Sequence, residues 1–362
     1  MSLKITKPTL LLDKQKCFRN IENMVRKANK HNVRLRPHFK THQSAEVGQW
    51  FKDFGVSHIT VSSVDMAKYF AENGWENILI AFPINPLQFD EIEQIPESVN
   101  LELLLSDAGI LPHLSTLKRK VGIFIEFNAG YGRTGFSIDQ FDEIKKCLDN
   151  IVFQSNLTFS GFYTHNGHTY STQSIAEINQ IHIESIRLFR ELRAGFRDEF
   201  PQMKIVMGDT PSCSTMDFFQ YIDEIGPGNF VFYDLTQQKI GSCEFDQVAV
   251  AMACPVVAKF PEKGEVVIYG GGVHFSKDIL EKNGEPIFGL MVEQTGKNWG
   301  QPIEGAYIKG LSQEHGKVVL PKELFDNTEI GDILYFLPVH SCLTANLMRE
   351  YLTLEGEVVG RM

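Results

Sequence analysis

The sequence predicts an α/β protein, an N-terminal (β/α)8 TIM-like barrel followed by a C-terminal, mostly antiparallel β domain. Three observations carry that expectation. Eight short apolar runs alternate with helix-compatible segments before Tyr233. Unusual polar clusters follow several of those runs, at what would be one face of a barrel. Beyond Tyr233 the helical pattern gives way to strands between Gly and Pro turns. Strand–helix alternation implies parallel pairing through crossover helices, and eight such strands favour closure over the alternative, an open doubly wound sheet.

In chain order, a helix is expected from Lys14 to His31. The runs that follow are VRLRP (33–37), HITVSS (58–63), ILIAFP (78–83), LELLLS (101–106), GIFIEFN (122–128), FSGFYTH (159–165), KIVMGDT (204–210) and YIDEIGPG (221–228). Between them, VDMAKYFAENG and IAEINQIHIESIRLFRELRAGF read as helices, the second with apolar residues at helical spacing up to Gly195. After Tyr233, VAVAMACPVVAKF, GEVVIYGGGVHFS, GAYIKGLSQEHGKVVL, GDILYFLPVHSC and YLTLEGEVVG read as strands. The expected domains are 8–233 for the barrel and 234–362, with 1–7, for the β domain.

The chain has 362 residues, enough for a barrel and a smaller second unit. Its formal net charge of -10, with no basic tract to offset it, argues against a nucleic-acid partner. Six cysteines without C-x-x-C spacing fit a reducing cytoplasm rather than a disulfide framework. The N-terminal apolar run is too short for a signal peptide, and no run is long enough to span a membrane. The expectation is a cytoplasmic protein with a small-molecule substrate.

The polar clusters suggest chemistry. Lys40 follows the first run in RLRPHFKTHQS, among Arg34, Arg36, His38 and His42. Cationic neighbours destabilise an ammonium and leave a nucleophilic amine; the alternative is a surface lysine in a basic loop. Arg133 lies in the Gly-rich NAGYGRTGF, and YTHNGHTY carries Tyr163, His165, His168 and Tyr170. Gly208-Asp209-Thr210 and Gly226-Pro227-Gly228-Asn229 are small enough for backbone N–H groups to approach a phosphate, unless they are ordinary turns. No P-loop and no G-x-G-x-x-G after a strand is present, which disfavours ATP and NAD. An amine opposite a phosphate cradle fits pyridoxal phosphate, which carries both an aldehyde and a phosphate. His340 and Cys342 are ligand types that suit zinc, and on a strand their spacing would point both to one face.

RPHFKTH, GYGRTGF, GDTPSCS, GPGNFVFYD, LSQEHG and PVHSCLTANL come in the order found in the D-serine dehydratase and D-threonine aldolase-like enzymes. The chain resembles that family from about Pro8 to its C-terminus. The resemblance implies the alanine racemase fold type and pyridoxal 5'-phosphate as cofactor. Lys40 would be the Schiff-base lysine and the base for the Cα proton, and Arg133 the contact to the phenolic oxygen. Tyr163 would pack against the ring, with Tyr170 as second choice, and Thr210, Gly226, Gly228 and Asn229 would hold the phosphate. In this family dehydratases look like HxC and D-threonine aldolases carry HxD, so His340 and Cys342 resemble the dehydratase metal site. Only two protein ligands are visible, leaving positions for water and substrate.

The expected activity is β-elimination from a D-3-hydroxy amino acid to a 2-oxo acid and ammonia. Retro-aldol cleavage to glycine and an aldehyde is the alternative. Racemisation is a third, for which Tyr269, Tyr307 and Tyr335 are available as a second base. His165 or His168 is a candidate proton donor, and Glu314 or His315 a candidate to orient the metal. Cys17 and Cys213 read as core or loop residues. A homodimer is implied by the fold-level resemblance.

Overall fold

The computed structural model describes residues 3–282, 284–295 and 298–362. Its contacts divide the chain into two compact units, Glu22–Gly228 and Met1–Ile21 together with Asn229–Met362. The chain begins with β1 (Thr9–Leu12) and a helix, Lys14–Lys30.

The first unit contains β2 (Arg34–Leu35), β3 (Ile59–Val61), β4 (Asn77–Pro83), β5 (Asn100–Leu105), β6 (Val121–Glu126), β7 (Leu157–Thr164), β8 (Lys204–Met207) and β9 (Glu224–Ile225). Each coincides with one of the eight expected runs. They pair in parallel in the order β2-β9-β8-β7-β6-β5-β4-β3. A parallel bridge between His38 and Thr60 joins the two ends and closes the barrel. Backbone bonding continues past the short strands β2 and β9, with Arg36 N donating to Ile225 O at 2.8 Å and His38 N to Pro227 O at 2.9 Å.

Side chains of Leu79, Leu104, Phe124, Tyr163 and Val206 form a buried cluster. Buried beside Phe124, whose ring centroid is 5.9 Å from its guanidinium carbon, Arg36 lies 2.7 Å from Glu102 and 2.5 Å from Glu224. A fully buried guanidinium needs such paired carboxylates to offset its desolvation. On the outside, Ser44, Ser63 and Ser174 each cap a helix by accepting from the third helical amide, worth about 1 kcal/mol per cap.

The second unit contains β10 (Val250–Phe260), β11 (Glu265–Tyr269), β12 (Leu280–Lys282), β13 (Glu285–Ile287), β14 (Gly289–Thr295), β15 (Asn298–Leu311), β16 (His315–Val319), β17 (Ile333–Pro338), β18 (Glu350–Thr353) and β19 (Val358–Gly360). The large sheet runs β11-β16-β15-β14-β17-β10-β1-β18-β19, and β11 also pairs with β10, so six strands form a closed ring. Pairing is antiparallel except between β1 and β18.

The domain limits expected at residues 8 and 233 differ from these units. β1 pairs with β10 and β18, so this strand's contacts place it with the second unit, and the division by contacts falls at Ile21/Glu22. The physical reason is that Leu10, Leu11 and Leu12 are all fully buried, and a continuous apolar run belongs between two neighbours. The other limit falls at Gly228/Asn229, where the Asn229 side chain bonds into the second unit.

Candidate active site

Lys40 sits on a turn that its neighbours clamp. Phe39 is fully buried, with its ring 5.1 Å from Phe51, 5.0 Å from Phe70 and 5.0 Å from Trp75. His42 enters the same aromatic cluster and takes the Ser44 amide on Nδ1 at 3.1 Å. The Phe39 amide donates to Thr60 O at 2.8 Å, and Gln43 Nε2 donates to Lys40 O at 3.0 Å. Anchored on both sides, the turn leaves the lysine side chain exposed.

The cationic setting expected around Lys40 is different in composition. Arg34 and Arg36 pair with Glu224, and Arg36 also with Glu102, because buried or half-buried guanidinium groups go to counter-charges. His42 is an aromatic anchor. The charges that meet at this end of the barrel are Lys40 and Arg133, which both act on His38 and His165.

Burial first, then Lys40, pushes the His38 imidazole well down, and the same two causes bring His165 to about 3. Both rings are therefore neutral near pH 7. His165 Nδ1 bonds to the Gly208 carbonyl, which can only accept, so the ring proton is on Nδ1 and Nε2 is an acceptor. In that tautomer Nε2 of His165 is the acceptor atom of the ring. His38 is the reverse case: its Nδ1 accepts from the Lys40 amide at 3.3 Å, which places its proton on Nε2.

Arg133 is carried by a loop folded back on itself. Asn128 Oδ1 accepts from Gly130 N at 3.0 Å and Gly132 N at 2.9 Å, and Phe127 bridges Phe136. Beneath it, buried Glu126 lies 3.9 Å from the guanidinium. Tyr131 stacks on His168 at 6.1 Å and meets His165 edge-on at 5.8 Å. A Cβ on Gly167 would stand 2.5 Å from the Tyr131 ring, so that glycine makes room for it.

The expected phosphate cradle is built from two glycine turns in contact. A Cβ on Gly208 would lie 3.0 Å from the Tyr163 hydroxyl and 3.3 Å from Gly226 O. Burial, followed by Glu126, pushes the Tyr163 phenol up, so it keeps its proton. Tyr170 supports the same turn by accepting from the Thr210 amide at 3.1 Å. Thr210 is fully buried, and its hydroxyl has no hydrogen-bond partner among the described residues. An orphaned buried hydroxyl beside Cβ-free backbone fits a phosphate of pyridoxal phosphate.

Gly228 ties this cradle to the lysine turn. A Cβ there would stand 2.9 Å from His38 O and 3.0 Å from His38 Cβ. Gly228→Ala is expected to shift one turn against the other and lower pyridoxal phosphate affinity about tenfold. Absorbance titration, with circular dichroism to check the fold, measures this.

Asp209 caps the short helix Thr210–Thr215, accepting from Ser212 N at 2.7 Å and from Thr169 Oγ1 at 3.1 Å. Burial outweighs those bonds and pushes its carboxyl up to about 6. A raised folded-state value stabilises the fold below the unfolded value, near 4, and the contribution is lost as pH rises through 6. Asp209→Asn keeps an acceptor for the cap and abolishes this loss. Its stability relative to wild type, in urea unfolding of the cofactor-free protein, is expected to rise by about 3 kcal/mol between pH 4 and 7.

In the second unit His340 and Cys342 do come together, though not on a strand. β17 ends at Pro338, and His340 is the N-cap of the helix Ser341–Leu347. The imidazole hydrogen-bonds both Asp278 and the Cys342 sulfur. Burial lowers its pKa, but these two partners outweigh burial and raise it to about 11. Imidazole and sulfur pointed at each other suit a borderline-soft ion. Among the described residues no group of three or more His, Cys, Asp or Glu is poised to hold a metal, so His340 and Cys342 would offer an ion two protein donors.

Two expected residues have other partners. The Asn229 side-chain amide donates to Asp234 at 2.6 Å, Ser341 Oγ at 3.1 Å and Cys342 Sγ at 3.5 Å, so any contact of this residue to a phosphate would fall to its backbone. Glu314 lies 3.8 Å from His274, whereas the His340 imidazole bonds Asp278 and Cys342. His315 is exposed. Asp278 escaped the sequence reading because it lies 62 residues from His340 with no motif around it.

Comparison with known proteins follows the same division. The family model described as "Alanine racemase, N-terminal domain" matches residues 12–235, and "Putative serine dehydratase domain" matches 249–354. The D-serine dehydratase of Dictyostelium discoideum is 26% identical over 361 residues, covering 92% of this chain and 89% of that protein. The D-threo-3-hydroxyaspartate dehydratase of Delftia sp. (strain HT23) is 24% identical, covering 98% and 96%. Its solved structure superimposes with a TM-score of 0.90 at 22% identity, covering 99% of this chain and 98% of that one. A cysteine-to-alanine mutant of that dehydratase has been solved in a metal-free form. The D-threonine aldolase of Arthrobacter sp. is 21% identical, covering 95% and 88%.

Proposed function

Because this chain belongs to the alanine racemase N-terminal-domain family and continues into a serine dehydratase domain, we propose that it is a pyridoxal-phosphate- and metal-dependent lyase. Its reaction is elimination of water from a D-3-hydroxy amino acid to an enamine, whose imine form is hydrolysed by water to a 2-oxo acid and ammonia. The observation that supports this most is the convergence at one barrel end. There the clamped Lys40, Arg133 and two neutral histidines share a face with the buried Thr210 hydroxyl.

Pyridoxal phosphate, when bound, supplies an electron sink for the charge left at Cα, and a zinc-like ion supplies a Lewis acid for the β-hydroxyl. The rest falls to the chain's own groups. The Thr210 hydroxyl and the backbone of the Gly208, Gly226 and Gly228 turns hold the phosphate. Arg133, with Glu126 beneath it, offers a guanidinium to the phenolic oxygen. The Lys40 amine takes the proton from Cα. His165 presents the lone pair of Nε2 and serves as an acceptor that orients a donor on the substrate. His340 and Cys342 hold the ion through nitrogen and sulfur, and the open positions admit substrate oxygen.

D-Threonine separates the two lyase chemistries. Supplied with pyridoxal phosphate and zinc, the protein is expected to release a 2-oxo acid and ammonia in equal amounts. Acetaldehyde with glycine would assign retro-aldol cleavage instead.

A further inference from the structure

Each of the two metal-ligand candidates has a dedicated partner of its own. His340 Nδ1 is 3.0 Å from Asp278 Oδ2. Asp278 is itself set in place by Ser276, whose hydroxyl donates to Oδ2 and accepts from the Asp278 amide, each at 3.2 Å. The carboxylate can only accept, so it holds an imidazole proton on Nδ1, and Nε2 is the nitrogen that an ion would take in place of a proton. On the other side, Asn229 Nδ2 lies 3.5 Å from Cys342 Sγ. Its orientation is not free to vary, because the same nitrogen donates to fully buried Asp234 at 2.6 Å. Asp234 also accepts from the Ser341 amide at 2.9 Å, locking the residue between the two candidates.

We infer that Asp278 and Asn229 are positioning residues for the metal centre: Asp278 selects Nε2 of His340 as the ligand atom, and Asn229, donating to the Cys342 sulfur, fixes the direction of that sulfur. The inference rests on the proposed metal site at His340 and Cys342. Elementary ligand chemistry explains why both are needed. A two-ligand centre lacks the mutual constraint of a closed four-ligand shell, so the orientation of each ligand must come from its surroundings. A carboxylate behind an imidazole raises its basicity toward the ion. An N–H behind a sulfur ligand holds its lone pairs in a fixed direction.

The test is metal binding by the holoenzyme stripped of metal with pyridoxal phosphate retained. Zn2+ affinity is measured by chelator competition, and Co2+ binding by its sulfur-to-metal charge-transfer absorption. Asp278→Asn, which keeps the size and an acceptor but loses the charge, is expected to weaken Zn2+ binding about tenfold, and Asp278→Ala 10- to 100-fold. Asn229→Ala is expected to shift the cobalt charge-transfer band, a signature that a merely structural role would leave unmoved. If Asn229→Ala does not fold, the near-isosteric Asp278→Asn decides.

His340→Ala and Cys342→Ser are run alongside. If they bind both ions as wild type does, the metal site itself is wrong. If they lose the ions while Asp278→Asn binds Zn2+ with wild-type affinity, the positioning role is overturned and the metal site stands.

Discussion

Lys40→Ala is expected to lose turnover by about 10³-fold or more, the scale set by removing a positioned general base. The fold should be untouched. Lys40 is exposed, and the turn beneath it is held by Phe39, His42 and the Gln43 side-chain amide. Unfolding midpoints of variant and wild type are therefore expected to agree, while steady-state activity does not. Borohydride treatment supplies an independent readout. Wild type is expected to gain one covalently attached cofactor, located at Lys40 by peptide mass, and Lys40→Ala none. A wild type that gains no adduct would remove the cofactor from the mechanism altogether.

The second large effect is at the metal centre. His340→Ala and Cys342→Ala are each expected to abolish turnover, by about 10²- to 10³-fold or more, because the Lewis acid that makes hydroxide a tolerable leaving group contributes several kcal/mol. Pyridoxal phosphate should remain bound, since its expected contacts lie in Glu22–Gly228 and these residues in the other unit. The stability cost is small, as the His340 side chain is 39% exposed and Cys342 only half-buried. A chelator is expected to reproduce the loss in wild type, and zinc to restore it. Full activity in either variant would exclude a metal at this pair. Cys342→Asp, which exchanges sulfur for an oxygen ligand, is the sharper probe of whether the ligand type separates elimination from aldol cleavage.

Much of this was legible in the sequence because it is local. The eight barrel strands are short apolar runs whose ends coincide with Gly, Pro and polar punctuation, and strand–helix alternation admits few topologies. The lysine turn, the arginine loop, each of the two glycine turns and the H-x-C pair are each contained in a dozen residues or fewer. For such segments, residue type and spacing already state the chemistry.

What the tertiary structure alone decided is the pairing of charges and polar groups across long separations. From RLRPHFKTH, five cationic or imidazole groups around one turn look like a single positive patch. In the fold, Arg36 meets Glu224, 188 residues away, because a buried guanidinium is stable only against carboxylates, and strand pairing brings them there. Asn229 follows the glycine cradle in sequence, yet its amide belongs to Asp234 and Cys342. Asp278 reaches His340 only through the folding of the β unit. Hydrogen bonds are short and directional while the chain is long and flexible. A sequence therefore states which groups need partners, and packing determines which partners they receive.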